Sequence, residues 1–178
     1  TRAAVSNLIM VTSSLPGEGK TFSAVNLALS LAVEADHDVL LIDADIAKPS
    51  VLDTLGLENG PGLMDALADP HLPLGDCLIQ TDIPGLKVMP AGTQRLNDTE
   101  LLASARTEAL LAQLEAGAPG RILILDSPPV LAASPAAVLA GHVGQLIMVV
   151  RADQTMESAL RDAIGLMGAC PHIQLLLN

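Results

Sequence analysis

The sequence predicts an α/β protein, a parallel β-sheet flanked by helices, and three observations carry that prediction. Short aliphatic runs alternate with helical segments along the chain. Four of those runs are almost continuously apolar, as strands covered on both faces must be. A phosphate-binding loop lies between the first run and the first helix, the strand–loop–helix context that gives such a loop its meaning.

The elements follow in order. Leu8–Thr12, Val39–Ile42, Leu86–Met89, Ile122–Leu125, Leu146–Val150 and Ile173–Leu177 read as strands. Lys20–Glu34 reads as a helix, with Val25, Leu29 and Ala32 on its apolar face. Glu100–Glu115 reads as a second helix, carrying five leucines. Met156–Met167 reads as a third, with Thr155 as its N-cap. The stretch from Pro49 to Thr99, richer in Gly, Pro and Asp, reads as loops and short helices, of which Gly62–Asp69 is the clearest. No internal repeat or low-complexity segment interrupts this order. The 178 residues suit a single domain.

With one Phe and no Trp or Tyr, the core must be aliphatic. Nine basic residues against 20 acidic ones leave a net charge of −11, which argues against a broad nucleic-acid-binding face and against a polybasic membrane patch. No apolar run reaches the roughly 18 residues of a membrane span, and no signal peptide opens the chain. Cys77 and Cys170 lack a CxxC spacing and read as reduced, buried thiols of a cytosolic protein. The four histidines show no metal-ligand spacing. A start at Thr1 and an apolar end imply a piece of a longer protein.

Ser14-Leu-Pro-Gly-Glu-Gly-Lys-Thr21 fits the phosphate loop with Ser in place of the first Gly. Gly17 and Gly19 let backbone N–H groups curl into an anion nest. Lys20 reaches the β- and γ-phosphates, Thr21 supplies a hydroxyl for Mg²⁺, and the helix dipole points at the phosphates. The nucleotide-binding set is Pro16, Gly17, Glu18, Gly19, Lys20, Thr21, Phe22 and Asn178. The Glu18 side chain is given no chemistry and reads as solvated or bonded to a basic residue. Phe22 reads as core packing. Arg151 faces the nucleotide pocket or pairs with Asp153.

Ligands bind a parallel sheet at the carboxyl ends of its strands, and two further strands end there in acid. One runs into Asp43-Ala44-Asp45, the other into Asp126-Ser127-Pro128-Pro129. Asp126 reads as the Walker B acid that holds Mg²⁺. Its neighbour is Ser127, so no acid follows it to act on a nucleophile. The base is therefore sought in Asp43 or Asp45, one for the metal and one for the proton.

The segments Ser13–Thr21, Val39–Ser50 and Ile122–Val130 resemble the bacterial tyrosine kinases (BY-kinases) of exopolysaccharide synthesis. Within that family the chain resembles the autokinases of exosortase and PEP-CTERM loci. The likeness extends to Pro90–Thr93, Glu100–Ser104 and the terminal Leu-Leu-Leu-Asn178. It implies a MinD-like (SIMIBI) P-loop fold, MgATP as donor, ADP as product, and tyrosines in a C-terminal tail of a neighbouring subunit as acceptors. It implies catalytic roles for Lys20, Asp43 and Asp45, with Asp43 as base. Thr21, Asp45 and Asp126 then serve Mg²⁺, and Asn178 meets the adenine.

It also implies a homo-oligomer in the cytoplasm, recruited to the inner face of the plasma membrane by a co-polymerase-type activator. Two departures stand out. Ala47 occupies the place of a family arginine, leaving Lys48 alone, and the chain holds no tyrosine acceptor. The family's N-terminal oligomer helix is missing as well. The competing class is a MinD/ParA-type ATPase switch, which usually carries a second lysine where this chain has Leu15. A third reading is a nucleotide-binding module without turnover.

Overall fold

The computed structural model describes residues 7–34 and 37–178. In chain order they form β1 (Leu8–Ser13), α1 (Lys20–Val33), β2 (Val39–Asp43), α2 (Val51–Leu55), α3 (Leu63–Ala68), β3 (Ile79–Gln80) and β4 (Leu86–Met89). There follow α4 (Asp98–Leu102), α5 (Ala105–Ala116), β5 (Ile122–Asp126), α6 (Pro135–Ala140), β6 (Gln145–Val150), α7 (Glu157–Leu166) and β7 (Ile173–Leu177). Among the described residues the seven strands make one sheet in the order β3-β4-β2-β5-β1-β6-β7. Every pairing is parallel except that of β3 with β4. The expected parallel α/β architecture is therefore present.

Period-two alternation divides the core into two layers. From β2, Val39 and Leu41 face α1, whereas Leu40 and Ile42 face α3–α6. Ile124 joins the first layer, and Leu123 and Leu125 join the second. On α1 the buried stripe is Ala24, Val25, Ala28 and Ala32, so the helix lies against the sheet through small side chains. Leu29, expected on that face, packs only at its margin.

Three element expectations need correction. The segment read as one helix over Glu100–Glu115 is two, α4 and α5. Ser104 Oγ and Thr107 Oγ1 both donate to the Leu101 carbonyl, at 2.6 and 2.9 Å, turning the chain where a helix would continue. The residue at the N-cap of α7 is Met156, not Thr155, whose hydroxyl is engaged elsewhere. Phe22, expected in the core, is 63% exposed on the first turn of α1. Among the described residues no helix is long and apolar enough to cross a membrane.

Register places the chemistry. Asp43 pairs with Asp126 across β2 and β5, and Val11 pairs with Asp126 across β1 and β5. The loop leaving β1 thus rises beside two carboxylates fixed by the sheet.

Candidate phosphate and metal site

The loop from Ser14 to Gly19 joins β1 to α1, and two of its glycines hold positive φ, 82° at Gly17 and 97° at Gly19. At Gly19 that φ strains any residue with a side chain, and a Cβ there would also push aside the Asn178 side-chain amide. Lys20, on the first turn of α1, is 9% exposed. Its ammonium lies 2.9 Å from Asp45 Oδ2, 3.5 Å from Asp126 Oδ1 and 3.2 Å from Thr21 Oγ1. Thr21 Oγ1 donates to Asp126 Oδ2 at 2.6 Å and lies 3.0 Å from Ser50 Oγ. Lys20, Thr21, Asp45 and Asp126 are thereby brought together.

Asp126 is fully buried, and its Oδ1 has the Lys20 ammonium nearby but no hydrogen-bond donor. Burial pushes its carboxyl up to about 6, against the pull of Lys20 and the Thr21 hydroxyl; Asp43 and Asp45 add to the rise. An orphaned carboxylate oxygen beside a hydroxyl and a second carboxylate is a hard-oxygen donor set. Mg²⁺ fits it, since that ion uses one or two carboxylates and completes its shell with phosphate and water.

Asp43 is also fully buried. Oδ2 accepts from the Ser50 and Val51 N–H groups at 2.9 and 3.0 Å, and Oδ1 from the Asp45 N–H at 3.2 Å. The carboxylate thus closes the 43–51 loop onto the start of α2. Burial raises its pKa, opposed by those three N–H bonds and by Lys20. Lys48 donates its backbone N–H to Asp45 Oδ1 at 3.3 Å, while its side chain is exposed beside exposed Ala47.

Asn178 lies at the end of β7 and donates from Nδ2 to the Glu18 carbonyl at 3.1 Å. It stands against the loop, one strand beyond β6. Arg151 donates to the Gly17 carbonyl at 3.2 Å, so of its two readings the one toward the loop is the one seen. The reading of Glu18 is overturned. It is 5% exposed, and its carboxylate accepts from Leu15 N–H at 2.9 Å and Thr155 Oγ1 at 2.5 Å rather than from a basic residue. Ser127 ties the end of β5 to β1, donating from Oγ to the Val11 carbonyl at 3.1 Å.

Sequence reasoning missed Ser50 and Thr155. Ser50 had one readable signal, its place after Pro49 at a helix start. Thr155 had none, since its partner lies 137 residues away.

A family model described as ParA, NUBPL iron-transfer P-loop NTPase matches residues 4–164. Tyrosine-protein kinase YwqD of Bacillus subtilis is 33% identical over 162 residues, 91% of this chain and 67% of that protein. Tyrosine-protein kinase Wzc of Salmonella typhimurium is 36% identical over 148 residues, 83% of this chain and 20% of the relative. The chain spans about a fifth of the length of the longer curated relatives it matches. Among solved structures, the VpsO kinase domain superposes with a TM-score of 0.84 at 35% identity, covering 96% of this chain and 84% of that one.

Proposed function

Because the chain belongs to the bacterial tyrosine-kinase family of ParA-like P-loop NTPases, we propose that it is the ATP-dependent catalytic domain of a protein-tyrosine autokinase acting in exopolysaccharide synthesis or export. The observation that carries this reading is the buried acidic cluster beside the loop, which includes Asp126 Oδ1, an acceptor without a donor. Residues 1–178 then form a single ATP-binding kinase domain.

The backbone N–H groups of Gly17–Thr21 in the Pro16–Thr21 segment, together with Lys20, hold the phosphates of ATP. Phe22, exposed at the head of α1, and Asn178, against the loop, border the same nucleotide site. Thr21, Asp45 and Asp126 hold Mg²⁺, which when bound neutralises charge developing on the β- and γ-phosphate oxygens. Asp43 accepts the proton of the acceptor phenol. The phenolic oxygen forms its bond to the γ-phosphorus as the bond to the bridging oxygen breaks, and ADP leaves. Burial suits Asp43 to this role, because a carboxyl with a raised pKa is a stronger base than an exposed one.

The chain has no tyrosine, so the acceptors belong to segments or proteins outside it, such as the tail of a neighbouring subunit in a homo-oligomer. Recruitment to the inner face of the plasma membrane by a co-polymerase-type activator is part of the same proposal. Incubation of the full-length protein with MgATP, probed for phosphotyrosine, tests it. Phosphotyrosine that depends on Asp43 and Lys20 supports the kinase. Hydrolysis of ATP with no phosphotyrosine supports an ATPase switch instead.

A further inference from the structure

An anion nest works when its N–H groups face inward and its carbonyls face outward. In this loop the Gly17 and Glu18 carbonyls both accept side-chain hydrogen bonds from the β6–β7 edge of the sheet. Arg151 Nη1 donates to Gly17 O and Asn178 Nδ2 to Glu18 O. The Glu18 side chain completes the brace. One oxygen takes the Leu15 N–H across the loop, and the other takes the Thr155 hydroxyl from the turn after β6. Thr155 Oγ1 is itself fixed by the Arg151 N–H at 2.9 Å. Among the described residues no cation lies within ion-pair distance of this buried carboxylate, so these two donors are what hold it.

A buried carboxylate beside a phosphate site is costly to desolvate and repels the ligand, so a placement that braces the loop has to offset that cost. We infer that Glu18 is a positioning residue. Its bridge between Leu15 N–H and Thr155 Oγ1 holds the phosphate loop in its anion-binding shape before nucleotide arrives. The inference rests on the reading of this loop as a nucleotide site. Held in shape, the loop need not order itself on binding, and the conformational cost of that ordering is removed from the affinity.

The test is calorimetric titration with MgADP of the parent and four variants, alongside thermal melts without nucleotide. Thr155→Val removes the bridging hydroxyl with no change of charge, and Glu18→Ala removes the carboxylate. Each is expected to weaken MgADP binding by about tenfold, the size of one well-placed hydrogen bond to a charged group. The double variant is expected to lose about tenfold as well, because both remove the same bridge. Glu18→Gln should bind within about threefold of the parent. Its amide oxygen accepts from Leu15 and its amide nitrogen donates to Thr155 Oγ1, which has a free lone pair.

Parent-like affinity in Thr155→Val, additive losses in the double variant, or a Glu18→Gln as weak as Glu18→Ala would each overturn the inference. Failure of the parent itself to bind MgADP would instead overturn the nucleotide reading on which it rests. Should Glu18→Ala not fold, Thr155→Val and Glu18→Gln decide the matter.

Discussion

Strands β2 and β5 carry a charged cluster at each end, and the two clusters are built in opposite ways. At the amino end Arg121, 5% exposed, pairs through Nε with Asp38 and donates from Nη1 to the Leu114 carbonyl at 3.0 Å. Lys87 adds a second cation 3.9 Å from Asp38. One acid therefore meets two bases, and Asp38 keeps partial contact with water. At the carboxyl end lie three buried acids; Asp45 and Asp126 share the Lys20 ammonium, and Asp43 feels its charge from further off. Two of the three have raised pKa values and one oxygen lacks a donor. The first arrangement is complete as it stands and serves the fold. The second is in deficit of positive charge, which a divalent cation would make good.

The largest expected effect falls at the carboxyl end. Lys20→Met removes the phosphate-facing charge and should weaken ADP binding by about 100-fold or more. Calorimetry showing parent-like affinity would break the comparison there. Next, Asp43→Asn in the full-length protein should cost roughly 10²–10⁴-fold in autophosphorylation. Nucleotide affinity should stay within about an order of magnitude. The amide must also turn its NH₂ or its single oxygen toward three backbone donors, so some loosening of the 43–51 loop is expected in hydrogen exchange. Autophosphorylation at the parent rate would pass the base role to Asp45.

At the amino end, Asp38→Asn should leave nucleotide binding intact and lower stability by about 2 kcal/mol, less than for a fully buried pair because Asp38 is partly wet. Urea unfolding reads this directly. The smallest effect is on pH dependence without metal or nucleotide. Asp126 binds its proton up to about 6 when folded, whereas its ordinary value is 3.8. Between those limits the native state holds more protons than the unfolded one, so stability falls as pH rises from about 4 to about 6. Asp43 acts in the same direction. Melting about 3 °C lower at pH 7 than at pH 5 is expected. A midpoint that rises across that interval would contradict the burial assigned to these carboxyls.

The two ends were not equally legible in the sequence. Asp43 and Asp126 stood out because each follows an uninterrupted aliphatic run, and a parallel sheet must bring such strand ends together. The phosphate loop was readable from its spacing together with its place between a strand and a helix. Glu18 and Thr155 were not, and Ser50 showed only as a helix start, because their roles are made by side-chain contacts between segments distant in sequence. The two-residue β3 and the short α2 and α6 carry too few residues for a period to show. Ser104 split a leucine-rich helix through a local hydrogen bond that outweighed the apolar pattern. Phe22 was misplaced because its apolarity was read without its helix face: α1 buries Ala24, Val25, Ala28 and Ala32, and Phe22 lies off that stripe.

The most direct test of the difference between the two ends is ADP titration of the parent and Asp126→Asn, with and without Mg²⁺. In the parent, Mg²⁺ should raise ADP affinity by about tenfold. In Asp126→Asn, which replaces the donorless carboxylate oxygen, that gain should vanish while metal-free ADP binding stays close to the parent's. An undiminished Mg²⁺ gain in Asp126→Asn would contradict the claim that the acidic end of the sheet is built around a divalent cation.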